Sequence, residues 1–442
     1  MPLTFTGGVH PPESKHLTEA RPIEPAARPA EVVVPLSQHI GAPATPVVEK
    51  GAQVKAGQVV GEVSGFVSAP VHSPVSGTVK MVADRPHGLG GDQPAVVIEP
   101  APEDEWVLMA PITDLDRTPV EKLVERIRDA GLVGMGGAAF PTHVKVVPPK
   151  GNSFDTVILN GAECEPFLTC DHQLMLAKGE EIVKGLKILL KITGAQRGFI
   201  GIEANKPDAI KHLEELTRHA AHINVAVCRV KYPQGAEKQL IKAITGREVP
   251  VGGLPFQVKV LVQNVGTAYA VWDAVTNGRP LVERAVTVTG PIVKEPKNLW
   301  VKIGTPVGEL LERCGGLTDA AARFILGGPM MGLAQHRFDI PVTKGTSGVL
   351  FLPPPRAQDF IATPCIRCAR CVDACPMMLV PCEAATFSEA GMLDKAEANG
   401  AGDCIECGSC AYVCPARRHL VQSIKVSKPA VLKRRAERAK GA

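Results

Sequence analysis

Two stretches near the end of the chain, CIRCARCVDACP (365–376) and CIECGSCAYVCP (404–415), repeat one pattern of cysteines. Each stretch reads Cys-x2-Cys-x2-Cys-x3-Cys-Pro, and its first three cysteines are close enough to wrap around one metal group. The fourth cysteine projects away from the other three, so it is expected to serve the other stretch. The repeat therefore predicts a domain built around two metal groups. Each stretch supplies three ligands to one group and its fourth cysteine to the other.

This spacing resembles that of the bacterial two-cluster ferredoxins, in which thiolates hold cubane [4Fe–4S] centres. The resemblance implies two ligand sets, with the last cysteine of each stretch exchanged between them. The sets are Cys365, Cys368, Cys371 and Cys414 for cluster 1, and Cys375, Cys404, Cys407 and Cys410 for cluster 2. A pair of structural zinc sites is the alternative, but zinc requires neither a cysteine triplet nor a following proline.

Composition limits the class of protein. A chain of 442 residues exceeds one ordinary core, so several domains are expected. The net charge of +4 is too small to indicate a nucleic-acid partner. No apolar run approaches the roughly 18 residues of a membrane-spanning helix, and the first residues do not resemble a secretory signal. The 13 cysteines indicate a reducing, cytoplasmic compartment, because cluster thiolates must stay reduced.

The cysteines outside the two stretches are expected to be ordinary core thiols, since small buried thiols are common. They are Cys164, Cys170, Cys228, Cys314 and Cys382. None of them shows metal-ligand spacing. Cys382 follows the first stretch closely, but its offset fits neither ligand set.

Residues 31–100 predict a small all-β unit, because short β-branched runs are broken by Gly and Pro at close intervals. The segments VKAGQVVGEV and PVSGTVK resemble the barrel-sandwich hybrid of biotinyl and lipoyl carriers. Such carriers present a lysine on the hairpin between these segments, where this chain has Phe66. A structural or docking role is therefore expected, rather than that of a swinging arm.

Strand and helix patterns alternate between residues 112 and 280. The strand candidates DTVILN, RGFIGIE and NVAVCRV precede helices expected within 171–192, 207–220 and 235–245, and FQVKVLVQN precedes one more. This rhythm predicts a Rossmann-like domain with a parallel sheet covered by helices. Residues 285–350 return to short strands with one brief helix, as in a β-grasp unit.

The predicted fold class is multidomain α/β. Its parts are an N-terminal extension (1–30), a barrel-sandwich hybrid (31–100), a Rossmann-like flavin and NADH domain (112–280), a β-grasp soluble-ligand-binding domain (285–350), an α-helical two-cluster ferredoxin-like domain (358–425) and a solvated basic tail (426–442).

A glycine-rich loop within GLVGMGGAAF (131–140) lets backbone N–H groups approach a phosphate or a flat ring. It follows a helix, so it is not the usual dinucleotide fingerprint. Polar residues then follow three successive strands, at the carboxyl edge where α/β sheets bind ligands. They are Asn160, Glu163 and Glu165, then Tyr232, Gly235, Glu237 and Lys238, and finally Asn264.

The glycine loop with Lys145 and the segments NGAECEP, YPQGAEK and QNVG resemble the NADH-binding flavoprotein subunit of respiratory complex I. The whole domain order, from residue 5 to residue 425, is closer to the C subunit of the Rnf (also called Rsx) electron-transport complex. The resemblance implies a catalytic Glu165 near the nicotinamide or ribose of NADH. The implied residues of the FMN and NADH site are Gly134, Gly136, Gly137, Lys145, Asn160, Glu163, Glu165, Tyr232, Gly235, Glu237 and Asn264. Met135 stands where the flavoprotein of complex I has arginine.

The resemblance also implies a function. NADH gives two electrons at once and a cluster accepts one, so a flavin between them links the two chemistries. The implied protein is a peripheral NADH-linked subunit on the cytoplasmic face of the inner membrane. Its expected partners are integral-membrane and iron–sulfur subunits of the same ion-translocating complex, and ferredoxin indirectly. The alternatives are a soluble reductase of the cobalamin-reductase type and an iron–sulfur relay without flavin.

Overall fold

The computed structural model describes residues 2–319, 323–354 and 361–441, with only the backbone for 439–441. The start of the predicted ferredoxin-like domain at 358 lies outside these residues. Across the described ranges the protein is a multidomain α/β structure. None of the helices in those ranges is both long enough and apolar enough to cross a bilayer.

The N-terminal segment runs across the surfaces of several domains. Leu3 forms a bridge to Cys228, and the amide of Gly8 donates to the carbonyl of Ala374 at 2.9 Å. Farther on, strand β1 (Ile23–Pro25) pairs in parallel with residues 298–300. The segment predicted as an extension therefore ties the α/β part of the chain to the cysteine-rich part.

The next unit consists of short antiparallel strands around one apolar core. Its strands are β2 (Val32–Pro35), β3 (Thr45–Pro46), β4 (Gln53–Val54), β5 (Val59–Glu62), β6 (Val71–His72), β7 (Gly77–Pro86) and β8 (Asp92–Pro100). They form two sheets, in the orders β2-β8-β7-β4 and β3-β5-β6. Phe66, between β5 and β6, is 85% exposed and reaches no core.

The third unit alternates helices and strands. They are α1 (Val120–Asp129), α2 (Thr142–Lys145), β9 (Thr156–Asn160), α3 (Cys170–Ala177), α4 (Gly179–Thr193), β10 (Arg197–Glu203), α5 (Pro207–Thr217), β11 (Ile223–Cys228), α6 (Glu237–Thr245), β12 (Val260–Asn264) and α7 (Val265–Thr276). The strands form a sheet in the order β11-β10-β9-β12, and every pairing is parallel, which confirms the predicted parallel sheet. The single helix expected within 171–192 is two helices, α3 and α4, which are separated at Lys178.

The fourth unit is a mixed sheet with one short helix. Its elements are β13 (Glu283–Thr289), β14 (Lys297–Lys302), α8 (Val307–Arg313), β15 (Arg323–Leu326), β16 (Leu333–Gln335) and β17 (Gly348–Leu352). The strand order β1-β14-β13-β17-β15-β16 places the N-terminal strand at one edge of this sheet. The sheet covers a separate apolar core that includes Val286, Leu299 and Phe351.

The cysteine-rich unit is helical. Its helices are α9 (Arg370–Asp373), α10 (Pro381–Glu389), α11 (Leu393–Ala398), α12 (Ser409–Tyr412) and α13 (Leu420–Gly441). The segment predicted as a solvated basic tail (426–442) continues helix α13 as far as Gly441, and most of its described side chains are exposed. Its arginines pair with acidic residues of the same unit: Arg434 with Asp394, Arg435 with Glu397 and Asp403, and Arg438 with Glu397.

Two neighbouring arginines allow the role of this helix to be tested. Arg435 bonds both Asp403 and Glu397 at 2.8 Å, whereas Arg434 bonds only the exposed Asp394 at 3.0 Å. We expect Arg435→Gln to lower the free energy of unfolding of the helical unit by ~1 kcal/mol and Arg434→Gln by less than ~0.5 kcal/mol. Chemical denaturation followed by circular dichroism measures both. Equal effects would mean that α13 is not held through Arg435.

Candidate functional site

The eight cysteines of the repeat line two separate cavities. Cys365, Cys368, Cys371 and Cys414 line the first cavity, and Cys375, Cys404, Cys407 and Cys410 line the second. The structure thus brings together the members of each predicted ligand set, including the exchanged fourth cysteine. We call these the cluster 1 cavity and the cluster 2 cavity.

Both cavities have the features of thiolate sites. Backbone N–H groups donate to ligand sulfurs at matching positions of the repeat, from Arg367 to Cys365 at 3.4 Å and from Glu406 to Cys404 at 3.3 Å. Burial, with a smaller contribution from nearby Cys407, raises the pKa of Cys404 to about 11, although the N–H of Glu406 and the charge of Lys428 lower it. Such thiols stay protonated until a metal displaces their protons. Four converging sulfurs with N–H donors fit a [4Fe–4S] cluster.

The two cavities differ in their surroundings. At the cluster 2 cavity, the hydroxyl of Tyr232 donates to the carbonyl of Cys407 at 2.7 Å, and the amide of Gln239 donates to the carbonyl of Pro376 at 3.1 Å. This cavity therefore packs against the parallel-sheet unit. At the cluster 1 cavity, Cys365 and Cys368 are exposed. One cavity is internal and the other faces outward.

The glycine loop lies beside the start of α7. The amide of Met135 donates to the hydroxyl of Thr267 at 2.9 Å, which anchors the loop. A Cβ on Gly136 would lie 2.9 Å from the side chain of Asn264, so only glycine fits there without a shift. A Cβ on Gly137 would meet nothing within 4 Å. Gly137 therefore borders open space where a ligand can approach the backbone.

Several predicted ligand residues meet at the carboxyl edge of the sheet. The amide of Asn160 donates to the carbonyl of Gly235 at 2.7 Å, and Lys145 pairs with Glu237 at 2.6 Å. Asn264 caps α7 by accepting from the amide of Gly266 at 2.8 Å. These contacts are made near the glycine loop, at the ends of β9 and β12, in the loop before α6 and at the end of α2.

Other predicted residues have different partners. The carboxylate of Glu163 accepts from the amides of Asp171 and His172 at the start of α3. Tyr232 reaches the cluster 2 cavity, as described above. Gly134 lies within the glycine loop and donates to the carbonyl of Phe140. Lys238 donates to the carbonyl of Pro250 at 3.4 Å and does not join the sheet edge.

Glu165 connects the sheet edge to the fourth unit. Its carboxylate accepts from the amides of Met330 at 3.0 Å and Met331 at 2.8 Å. Burial raises the pKa of this carboxyl to about 7, although the two N–H donors and Lys15 lower it. In this arrangement the carboxylate of Glu165 points toward residues 330–331 and is hydrogen-bonded to their backbone N–H groups.

Two buried lysines that the sequence analysis did not select hold the same loop. The ammonium group of Lys15 donates to the carbonyls of Glu163, Glu165 and Leu168 at 2.5 to 3.1 Å. Lys206 donates to the carbonyl of Ala162 at 2.8 Å. Lys15 left no signal in the local sequence, because its acceptors are backbone carbonyls distant in the chain, whereas Lys206 also has the nearby side chains of Asn205 and Glu203 as partners.

Buried amides without partners indicate that the site is completed by a polar ligand. Gln234, in the YPQG segment, is fully buried, and within the described ranges neither of its amide atoms has a hydrogen-bond partner. The Nε2 of Gln263, beside Asn264, has none either. Buried polar groups are normally paired. Together with the open space at Gly137, these amides fit a bound flavin.

Cys382 was expected to be an ordinary core thiol, but it lines the cluster 1 cavity with the four predicted ligands. Its offset from the first stretch hid this position. Aligning Cys365 with Cys404 also aligns Cys382 with Val421, so the repeat has no second cysteine at this position, and only the structure shows that both residues line a cavity.

Four protein-family models match successive parts of the chain. They describe the RnfC barrel sandwich hybrid domain (residues 3–103), the Nuo51 FMN-binding domain (127–273), the SLBB domain (285–334) and the 4Fe-4S dicluster domain (359–415). An FMN-binding domain joined to a dicluster domain defines the class of flavin and iron–sulfur electron-transfer proteins.

Curated relatives identify the family within that class. The C subunit of the Na(+)-translocating ferredoxin:NAD(+) oxidoreductase complex of Acetobacterium woodii is 48% identical, over 99% of this chain and 98% of the relative. Its proton-translocating counterpart from Clostridium ljungdahlii is 46% identical, over 86% and 83%. The C subunit of the ion-translocating oxidoreductase complex of Rhodobacter capsulatus is 42% identical, over 89% and 76%. The chain belongs to the RnfC family, the C subunits of Rnf complexes.

A solved structure shares part of this fold. It is that of an NAD+-reducing [NiFe]-hydrogenase in the air-oxidized state, with a TM-score of 0.50 and 20% identity. The match covers 71% of this chain and 66% of the hydrogenase chain. At this identity the likeness shows the fold alone.

The position of Glu165 predicts a pH dependence of stability. Its folded pKa of about 7 is above the ordinary value of 4.5, so folding favours the protonated carboxyl. That stabilisation is complete below pH 4.5 and is lost as the pH rises to 7. We expect Glu165→Gln to lessen this decline by up to ~1.4 kcal/mol per pH unit. Urea unfolding at pH 5, 6 and 7 measures the change, and Glu214→Gln on the surface of α5 is the control. An unchanged slope in Glu165→Gln would contradict the assignment.

The open space at Gly137 predicts a separation of stability from flavin binding. We expect Gly137→Asp to leave the free energy of unfolding within ~0.5 kcal/mol of the parent, because its side chain meets nothing. The same change should strongly weaken FMN binding, since it places bulk and negative charge where a phosphate or ring approaches. Gly137→Asn has the same bulk without the charge. FMN titration of all three proteins tests this, and full affinity in Gly137→Asp would show that the loop is only a turn.

Proposed function

We propose that this protein is the NADH-linked electron-transfer subunit of a membrane-bound, ion-translocating ferredoxin:NAD(+) oxidoreductase complex. Two features of the chain support this. A sheet edge with a glycine loop fits FMN, and two cavities, each with one predicted set of four cysteines, fit [4Fe–4S] clusters. Bound FMN would exchange a hydride with NADH and single electrons with clusters. Hydride exchange alone would not need the cysteine cavities, and single-electron exchange alone would not need the FMN site.

The residues of the sheet edge have distinct proposed roles. Gly134, Gly136 and Gly137 let the backbone approach the cofactor, and Asn264 holds the loop in place. Lys145 lies beside this edge and supplies positive charge for a phosphate, while Glu237 orients its ammonium group at 2.6 Å. Asn160 and Gly235 join the neighbouring strand ends into one surface.

Glu163, Tyr232 and Glu165 surround this surface in our proposal. Glu163 fixes the start of α3 through two N–H bonds. Tyr232 links the surface to the cluster 2 cavity through the carbonyl of Cys407. Glu165 is proposed as the acidic residue nearest the nicotinamide or ribose. To serve there, its carboxylate would exchange the amides of Met330 and Met331 for the substrate.

The contact between Tyr232 and Cys407, at 2.7 Å, is the observation that carries the proposal. It places the cluster 2 cavity against the sheet unit, whereas the cluster 1 cavity exposes Cys365 and Cys368. We therefore assign the cluster 2 cavity to exchange with the flavin domain and the cluster 1 cavity to exchange with a protein partner. Electrons can pass along this route in either direction, and the partner sets the direction of net electron flow.

The partners and the location follow from the same assignment. An outward-facing cluster is open to one-electron exchange with a protein at the surface, and we propose an iron–sulfur subunit in that role. We propose that this partner and integral-membrane subunits hold the chain at the cytoplasmic face of the membrane. Ferredoxin is then reached through those subunits rather than directly.

A matched pair of cysteine variants tests the order. Cys368 and Cys407 occupy equivalent positions of the repeat, one in each cavity. Anaerobic wild-type protein should contain FMN and about eight iron and eight sulfide per chain. In Cys407→Ser, NADH should bleach the flavin absorbance but leave cluster 1 oxidised by electron paramagnetic resonance. In Cys368→Ser, NADH should still reduce cluster 2, and transfer to a protein acceptor should be lost.

The opposite pattern would contradict the proposed order. If NADH reduced cluster 1 at the wild-type rate in Cys407→Ser, the cluster 2 cavity would not lie on the route. Wild-type protein with both clusters but no flavin would instead indicate an iron–sulfur relay. Zinc without sulfide would remove the electron-transfer function altogether.

A further inference from the structure

The two halves of the cysteine repeat line their cavities with equivalent residues. Aligning Cys371 with Cys410 brings Cys382 to the position of Val421. Cys382 lines the cluster 1 cavity and Val421 lines the cluster 2 cavity. The same wall position is therefore a thiol in one cavity and a hydrocarbon in the other. The cluster 1 cavity has five cysteines, and the cluster 2 cavity has four.

The thiol of Cys382 lies directly beside one predicted ligand. Cys382 and Cys371 line the same cavity, and Cys382 packs against the apolar cluster that includes Cys371. Cys382 is the second residue of α10, where backbone N–H groups have no acceptor within the helix. The carbonyl of Cys382 accepts from the hydroxyl of Thr386 at 2.8 Å. Its backbone is thus fixed, and its sulfur adjoins the corner of the cavity that Cys371 serves.

We infer that Cys382 is a reserve ligand for the cluster 1 cavity, able to replace Cys371 at its iron. This inference rests on the proposed [4Fe–4S] clusters. The exchange is a ligand substitution without redox change. The bond between iron and the Cys371 sulfur is lost, a bond between iron and the Cys382 sulfur forms, and the thiol proton of Cys382 passes to the released Cys371 sulfur.

The outward-facing cavity is where such a reserve has a use. Cys365 and Cys368 are exposed, so solvent and oxidants reach this cluster. Cys371 itself is buried, so the reserve would answer loss of the bond between iron and the Cys371 sulfur in a cluster that solvent reaches, and not oxidation of an exposed ligand. The cluster 2 cavity has Val421 at the equivalent position, and its lining residues in the described part of the chain include no fifth cysteine.

Iron and sulfide analysis of the full chain, purified anaerobically, tests the inference. Wild type, Cys371→Ala and Cys382→Val should each hold about eight iron per chain, because four thiolates remain available in the cluster 1 cavity. The double variant Cys371→Ala, Cys382→Val should hold about four, because that cavity then has only three. Electron paramagnetic resonance should show both clusters in Cys371→Ala, with an altered signal for cluster 1.

The equivalent cavity supplies the matched control. Cys410→Ala should fall to about four iron per chain, since no spare thiol adjoins that corner. Adding Val421→Cys to Cys410→Ala should restore about eight iron. This rescue would show that the wall position itself, and not some other feature of the cluster 1 cavity, supplies the fourth thiolate.

The results that overturn the inference differ from those that overturn the function. If Cys371→Ala loses iron and sulfide to the level of the double variant, Cys382 is not a reserve ligand. Loss of both clusters in Cys371→Ala has the same meaning. If the wild-type chain itself holds no sulfide, the clusters are absent and the proposed function fails first.

Discussion

One buried ammonium group joins the main parts of this protein. Lys15 is 5% exposed and donates to three carbonyls of the loop after β9. Those buried carbonyls need donors, and the loop supplies none of its own. The bonds hold the N-terminal segment against the sheet edge and set the backbone from which Glu165 reaches Met330 and Met331. Lys15 thus holds the N-terminal segment and the sheet unit together at the point where Glu165 reaches the mixed-sheet unit.

Rigid connection of this kind suits electron transfer, because the distance between redox groups must not vary. The cluster 2 cavity is attached to the sheet unit at two places, through Tyr232 and Gln239. The N-terminal segment adds a third attachment, from Gly8 to Ala374. Exchange of the fourth cysteine between the two stretches joins the two cavities to each other in turn. The path from the glycine loop to the outward-facing cavity is thus continuous.

Much of the candidate site could be predicted from local sequence. The cysteine spacing predicted which thiols share a cavity, and the strand pattern predicted that Asn160, Gly235 and Asn264 meet at one sheet edge. The misses share a physical cause. Lys15 binds backbone carbonyls, as Lys206 does at Ala162, and a carbonyl has the same chemistry at every position of the sequence. The helical continuation of the basic tail was not predicted, because the acidic partners of its arginines lie in α11 and the turn after it.

The sequence by itself determined the features that depend on short separations along the chain. These are the cysteine triplets, the alternation of strands and helices, and the glycines that allow close approach. Only the tertiary structure decided which cavity faces outward, which loop Lys15 holds and where Cys382 lies. Those outcomes depend on packing between segments that are far apart in the chain. For example, Cys382, at the start of α10, lines a cavity that is formed mainly by other segments. Local spacing carries no information about such contacts.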